Sequence, residues 1–306
     1  NKLDEKINPL GKIKPYIIKE IGGFKIGVIG TVTPGLPAWL APRLLKEFSA
    51  EDPVKSIDFA MKRLRAEKVD AIVLLPFDGA AMTPVALKAM AAGIKVINVD
   101  REFNSPFAAR TTVLGDNYGM GVSAGTYMCS QLGSKKDAVI AEIAGIDNLP
   151  LTKDRSEGFA KALADCGLKV SNRVAADFTV QGGEQAAANL LQAAPKIDAI
   201  WNHDDDQGVG VMQAIKNSGR KEFFMVGGAG SANVMRQIKD DNTVLKATVV
   251  YPSTQAADGI MLARLLVQGK SLSDLVEVEV PRKVTLFAPV VSKTNVDQYL
   301  PTAFES

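Results

Sequence analysis

At 306 residues the chain exceeds the size at which one hydrophobic core usually stops growing, so two domains are expected. Hydrophobic residues make up 46% and charged residues 23%, enough apolar material for packed cores and too little charge for disorder. The formal net charge is only +2, and the 36 basic residues are scattered rather than gathered into a run that could track phosphates, so nucleic acid is not an expected partner.

The apolar stretches, such as the one from Ala71, fall well short of the roughly 20 residues that cross a bilayer, so no membrane insertion is expected. The chain opens with Asn1 and shows no charged segment leading into an apolar one. The expectation is a mature chain whose signal peptide, if encoded, has been removed. Its two cysteines, Cys129 and Cys166, match no metal or CxxC spacing. A disulfide in an oxidising compartment and a pair of buried thiols are both open readings.

In chain order, YIIKEI, Gly22-Gly23 and FKIGVIG predict a β-hairpin with a two-glycine turn. A Pro-rich loop, TVTPGLPAWLAP, follows where a helix and a second parallel strand would complete a βαβ unit. Trp39, in that loop, would cover a cleft or plug the space left by the missing helix. From Val69 onward one unit repeats: a short β-branched run, a turn, a segment of helical period, a glycine and another apolar run. Ahead of the first strand, Asp52 can N-cap a helix with Pro53 in its first turn and Val54, Ile57, Met61 and Leu64 on one face. Strand 71–75 follows, then a helix from Thr83 and Pro84 through Ala92, a stop at Gly93 and the strand KVINVD. Later strands read AVIAEIAG, LKVSNRVAA, DAIWNHD and FFMVGG, near-continuous apolar runs of the kind buried on both faces of a parallel sheet. The predicted fold class is α/β, with parallel sheets flanked by helices and an atypical N-terminal hairpin.

Several ordered pieces carry a resemblance: VDRE at Val99, GDN at Gly115, KDRSEGF at Lys153, ADF at Ala176, DAIWNHDDDQGVGVMQAI at Asp198 and the closing SKTNVDQYL. From about residue 69 to the C-terminus the chain resembles the type I periplasmic sugar-binding receptors of bacterial ABC transporters. The resemblance implies two Rossmann-like lobes, a ligand cleft between them and three crossings, with 1–105 plus 252–280 in one lobe and 106–251 plus 281–306 in the other. It also implies a non-catalytic, monomeric, extracytoplasmic protein with a small sugar as ligand, an ABC permease as partner and no cofactor. Residues 13–75 instead resemble part of the metallophosphatase domain of bacterial 5′-nucleotidases. A dinuclear phosphatase needs several His and Asp ligands, and the chain holds one histidine, His203. The combination reads as a chimera, and a folded scaffold that has lost its ligand is the alternative function.

The resemblance implies ligand-binding roles for Asp100 and Arg101 at a strand end, for Arg155 at a helix start, for Phe178 as a ring against the sugar face and for Asp204 where the family usually has Asn. These residue types suit a polyol, because carboxylates accept, guanidinium groups donate and aromatic faces meet C–H faces. Asp78, Asn148, Tyr251 and Gln255 complete the expected set. Trp201 is expected in the core. The chain departs from the family pattern at VGGAG, which puts Ala229 where an Asp would bind hydroxyls, and at Val250, where the family has Gln. Adjacent acidic residues such as Asp204 and Asp205 rarely converge on one metal ion, so no metal is expected. GMGVSAG lacks a dinucleotide fingerprint, and there is neither a GxSxG elbow nor a helix-turn-helix.

Overall fold

The computed structural model describes residues 14, 16–30, 53–76, 78–271 and 279–305. Asp52, Trp39 and the Pro-rich loop therefore lie outside the described residues. Two compact units form, one from the residues up to Leu114 with Thr254–Leu286, the other from Gly115–Ser253 with Phe287–Ser306. The chain passes between units at 114/115, 253/254 and 286/287, later than the expected 105/106, 251/252 and 280/281. The first and third shifts have a local cause at the adjoining strand. Residues 111–113 pair with residues 97–99 of the strand before them, and residues 283–286 join the same sheet.

The first unit holds β1 (Ile17–Ile21), β2 (Phe24–Gly30), α1 (Pro53–Ala66), β3 (Ala71–Leu75), α2 (Gly79–Ala91), β4 (Lys95–Val99) and β5 (Thr111–Gly115). Its sheet order is β1-β2-β3-β4-β5 followed by the strand Lys283–Leu286. The predicted hairpin forms with Ile21 opposite Phe24, and Gly22 and Gly23 take φ of 62° and 84°, a pair of left-handed positions that only glycine adopts without strain. From β2 to β5 the strands run parallel. β3 shows why its sequence is apolar throughout. Ile72 and Leu74 enter a core with Ile57, Leu64 and Met82, while Ala71 and Val73 enter another with Val99, Leu262 and Leu266 from the helix Gln255–Val267.

Helix α2 starts at Gly79, four residues ahead of the expected Thr83. The Asp78 side chain caps it by accepting from the Ala81 N–H at 3.1 Å, and Pro84 is carried inside the helix. Gly79 is required because a Cβ there would overlap the Glu102 carbonyl.

The second unit holds α3 (Asn117–Leu132), β6 (Ile140–Ala144), α4 (Pro150–Asp165), β7 (Val170–Ala175), α5 (Val180–Ala193), β8 (Ala199–Asn202), α6 (Asp205–Ser218), β9 (Phe224–Ala229), α7 (Ala232–Asp240) and β10 (Leu245–Val250). Its sheet order is β7-β6-β8-β9-β10 followed by the strand Val290–Ser292, which runs antiparallel to β10. β7 departs from the expected two-faced burial. It is an edge strand whose residues alternate between half-buried and exposed, as one covered face dictates. Trp201 is fully buried, as expected, and packs against Phe159 with ring centroids 4.6 Å apart and the rings tilted by 45°.

Helices α3 and α4 approach backbone to backbone: a Cβ on Gly121 would overlap the Arg155 carbonyl, and one on Gly158 the Tyr118 carbonyl. At the opposite end of this pair, Cys129 and Cys166 form a disulfide that settles the two open readings of the cysteines.

Candidate functional site

In the second unit the carboxyl ends of the strands gather the expected polar and aromatic groups. Arg155, in the second turn of α4, is 6% exposed. Its Nε donates to Asn117 Oδ1 and its Nη1 to the His203 carbonyl, both at 2.9 Å. The guanidinium carbon stands 5.2 Å from the Tyr251 ring centroid and 6.0 Å from that of Phe178. A buried cation flanked by two rings is thus held from behind by one side chain and one backbone carbonyl.

Both rings rest on glycine. A Cβ on Gly145 would overlap the ring of Phe178, and one on Gly115 the ring of Tyr251. Phe178 adopts φ +63°, a conformation costly for an aromatic residue, and its N–H donates to Gln207 Oε1 at 3.0 Å. Gln207 is itself fixed by a 2.8 Å bond from its Nε2 to Asn202 Oδ1. Asp204 caps α6, accepting from the N–H groups of Asp206 and Gln207 at 2.9 and 3.1 Å. Burial pushes its pKa up to about 6, against the pull of those amides and of the Arg155 charge. Asn148 lies exposed in the turn between β6 and α4.

The first unit supplies a second polar group. Asp100 follows β4 at φ +69°, with the Arg101 N–H bonded to the Val99 carbonyl at 2.9 Å, a tight three-residue turn. Arg101 Nε stands 3.6 Å from Asp100 Oδ2, and Asn98 Nδ2 donates to the Arg101 carbonyl at 3.0 Å. Asp78 and Gly79 adjoin this turn through the close approach of Gly79 to residues 101 and 102. Gln255 is buried as the first residue of its helix.

Five residues other than glycine have positive φ among those described. Lys68 and Asp241 sit where helices end, a common place for it. The other three, Asp100, Phe178 and Ala229 (φ +109°), all lie at or just beyond the carboxyl ends of strands. Backbone strain of this kind collects where a fold holds ligand groups in place.

Three contributors escaped sequence reasoning, and a fourth, Asp205, was noted only as part of an acidic run at a strand end. Asn117 and the His203 carbonyl hold Arg155, and Gly145 makes room for a ring. Asp205, 1% exposed, accepts from the N–H groups of Gly228, Gly230 and Ser231 at 2.8–2.9 Å and from Thr248 Oγ1 at 3.1 Å, fixing the loop that bears Ala229. The GDN motif was a usable signal for Asn117. A backbone carbonyl leaves none.

Beneath this site lies a buried His–Glu pair. His203 Nε2 is 2.9 Å from Glu142 Oε1, and its ring packs at a tilt against Trp201 with centroids 4.2 Å apart. Burial lowers the His203 pKa to about 4, although the Glu142 contact opposes it. Burial pushes the Glu142 carboxyl up, but the bonds from His203 and Ser156 and the charge of Arg173 outweigh it and leave the pKa below the ordinary value. The geometry agrees with a neutral imidazole. Nδ1 is buried without a partner, tolerable for a bare lone pair and expensive for an N–H.

Both α/β units carry polar and aromatic groups at the carboxyl ends of parallel strands, the edge at which such sheets bind ligands. The chain belongs to the periplasmic binding protein domain family, whose model matches residues 55–271. It is 33% identical over 200 residues to the ribose import binding protein of Bacillus subtilis, covering 63% of each chain. It is 27% identical over 209 residues to a D-ribose/D-allose-binding protein of Pseudomonas aeruginosa, covering 66% of this chain and 65% of that one. The chain therefore spans a little under two thirds of the length of these relatives. Among solved structures, a fructose-binding periplasmic domain of a hybrid two-component system superposes with a TM-score of 0.68 at 28% identity, over 83% of this chain and 82% of that one.

Proposed function

We propose that the protein is an extracytoplasmic, non-catalytic receptor that binds a small sugar or sugar-like polyol for delivery to an ABC-type permease. The observation that carries this reading is Arg155, buried, doubly anchored and flanked by the rings of Phe178 and Tyr251. Rings offer apolar faces to sugar C–H groups, while the guanidinium and carboxylates meet the hydroxyl edge. Relatives named for ribose and allose binding support the ligand class, and the disulfide suits an oxidising compartment. The binding set comprises Asp78, Asp100, Arg101 and Gln255 from one unit and Asn148, Arg155, Phe178, Asp204 and Tyr251 from the other. It acts as a monomer that closes by hinge motion.

The test is a thermal shift and calorimetry panel of pentoses, hexoses and sugar alcohols, since a ligand selective for the native state raises Tm. Arg155→Ala should weaken the responding sugar by about 1.5–3 kcal/mol, the range for hydrogen bonds to charged groups. A flat response across the panel would identify a folded scaffold without a ligand.

Residues 13–75 derive, in this reading, from a metallophosphatase-like fold grafted ahead of the receptor. The antiparallel β1–β2 hairpin at the sheet edge supports it for the residues before 55, whereas the family match takes in residues 55–75 and speaks against it there. The graft carries no catalysis, so a nucleotide incubated with the protein and a divalent metal should release no phosphate.

A further inference from the structure

Arg155 needs two things to present its guanidinium in one place: a fixed α4 backbone and a fixed His203 carbonyl. A single buried oxygen reaches both. Glu142 Oε1 accepts from the hydroxyl of Ser156, the residue following Arg155 in α4, at 2.5 Å, and it bonds His203 Nε2 at 2.9 Å. Glu142 is 1% exposed in the middle of β6, a strand paired on both sides within its sheet. A carboxylate there is expensive unless it is paired and hydrogen-bonded. Its second oxygen lies 3.6 Å from Arg173 Nε, and Arg173 Nη2 also donates to Ser156 Oγ at 3.3 Å and to Asp147 at 2.6 Å.

We propose that Glu142 is a positioning residue for ligand binding, a brace that ties residue 156 to residue 203 and thereby fixes the guanidinium of Arg155. Glu142 does not touch the ligand. The closed path runs from Glu142 to Ser156, one residue along α4 to Arg155, across to the His203 carbonyl and back through the imidazole to Glu142. Packing alone would accept an apolar residue at this central strand position, whereas the brace requires an acceptor facing both partners. This inference rests on the receptor reading for its consequence in affinity and on the hydrogen bonds alone for its consequence in structure.

The experiment compares Glu142→Ala, Glu142→Gln and Ser156→Ala by two readouts. The first, needing no ligand, is the NMR signal of the Arg155 Nε–H, which its bond to Asn117 protects from exchange. Glu142→Ala should lose that protection, Ser156→Ala should lose part of it, and Glu142→Gln, which keeps an acceptor oxygen, should retain it. The second is calorimetry with the sugar that responds in the panel. Affinity should fall at least tenfold in Glu142→Ala and recover to within threefold in Glu142→Gln. Should Glu142→Ala not fold, Ser156→Ala carries the same comparison with a smaller effect. An Arg155 Nε–H equally protected in the wild type and in the folded Ala variants overturns the brace, whatever the ligand. If no sugar binds the wild type, the receptor reading fails while the NMR comparison still decides the brace.

Discussion

The ring of Phe178 fills the space that any side chain at Gly145 would need. One residue is thereby restricted to glycine by another 33 positions away, and Phe178 in turn accepts a left-handed backbone to stay there. Gly145→Ala should therefore displace the ring, weaken sugar affinity at least tenfold and cost about 1–3 kcal/mol of stability, as overpacking does. Calorimetry and urea unfolding would measure the two effects, and unchanged affinity would remove Phe178 from the ligand surface.

Ala229 holds φ +109° at the end of β9, where its neighbours Gly228 and Gly230 are locked to Asp205. Glycine tolerates this conformation without the Cβ penalty. Ala229→Gly should raise stability by about 1 kcal/mol, within the range for relief of a strained left-handed residue. A lower urea midpoint for this variant would contradict the strain argument.

His203 is the only histidine of the chain, so its imidazole gives a single set of NMR resonances. With its pKa lowered to about 4, these should stay flat from pH 8 to pH 5, and a midpoint near 6.5 would refute the buried neutral state. The sign of the stability effect follows. Between pH 6.5 and 4 the unfolded chain takes up a proton at this residue that the native state refuses, so about 3 kcal/mol of stability is lost as pH falls. Asp204 and Asp205, raised to about 6 and about 7, act in the opposite direction, because the native state binds protons there that the unfolded chain lacks until about pH 4. Comparing wild type with His203→Gln across this window isolates the histidine contribution.

The disulfide closes a loop with its cysteines 37 positions apart, from the last turn of α3 to the end of α4. Replacing both cysteines with serine should lower the unfolding free energy by about 2–4 kcal/mol in urea while leaving the fold intact. Free-thiol titration of the unfolded, unreduced protein should find none.

Much of the architecture was legible because parallel strands buried on both faces leave unbroken apolar runs. Ala71–Leu75 and the Gly22-Gly23 turn form as the sequence predicts. Where the chain deviates, tertiary context overrides local pattern. Nothing in VSNRVA alone declares that β7 is an edge, and Pro84 suggests a helix start only until Asp78 is seen to provide a better cap. The candidate site was legible in its charged and aromatic members, whose types announce their chemistry. Its supports were not: Glu142 reads as one polar residue in an apolar strand, and Gly145 as an ordinary turn glycine. Their roles exist only through partners distant in sequence.

Because Gly121 and Gly158 let α3 and α4 touch through their main chains, Asn117 on one helix is held within hydrogen-bond reach of Arg155 on the other. The conformational freedom of that arginine is thus surrendered while the protein folds. A ligand arriving later meets a group already anchored by two hydrogen bonds and pays little of the entropy that ordering a free arginine would cost.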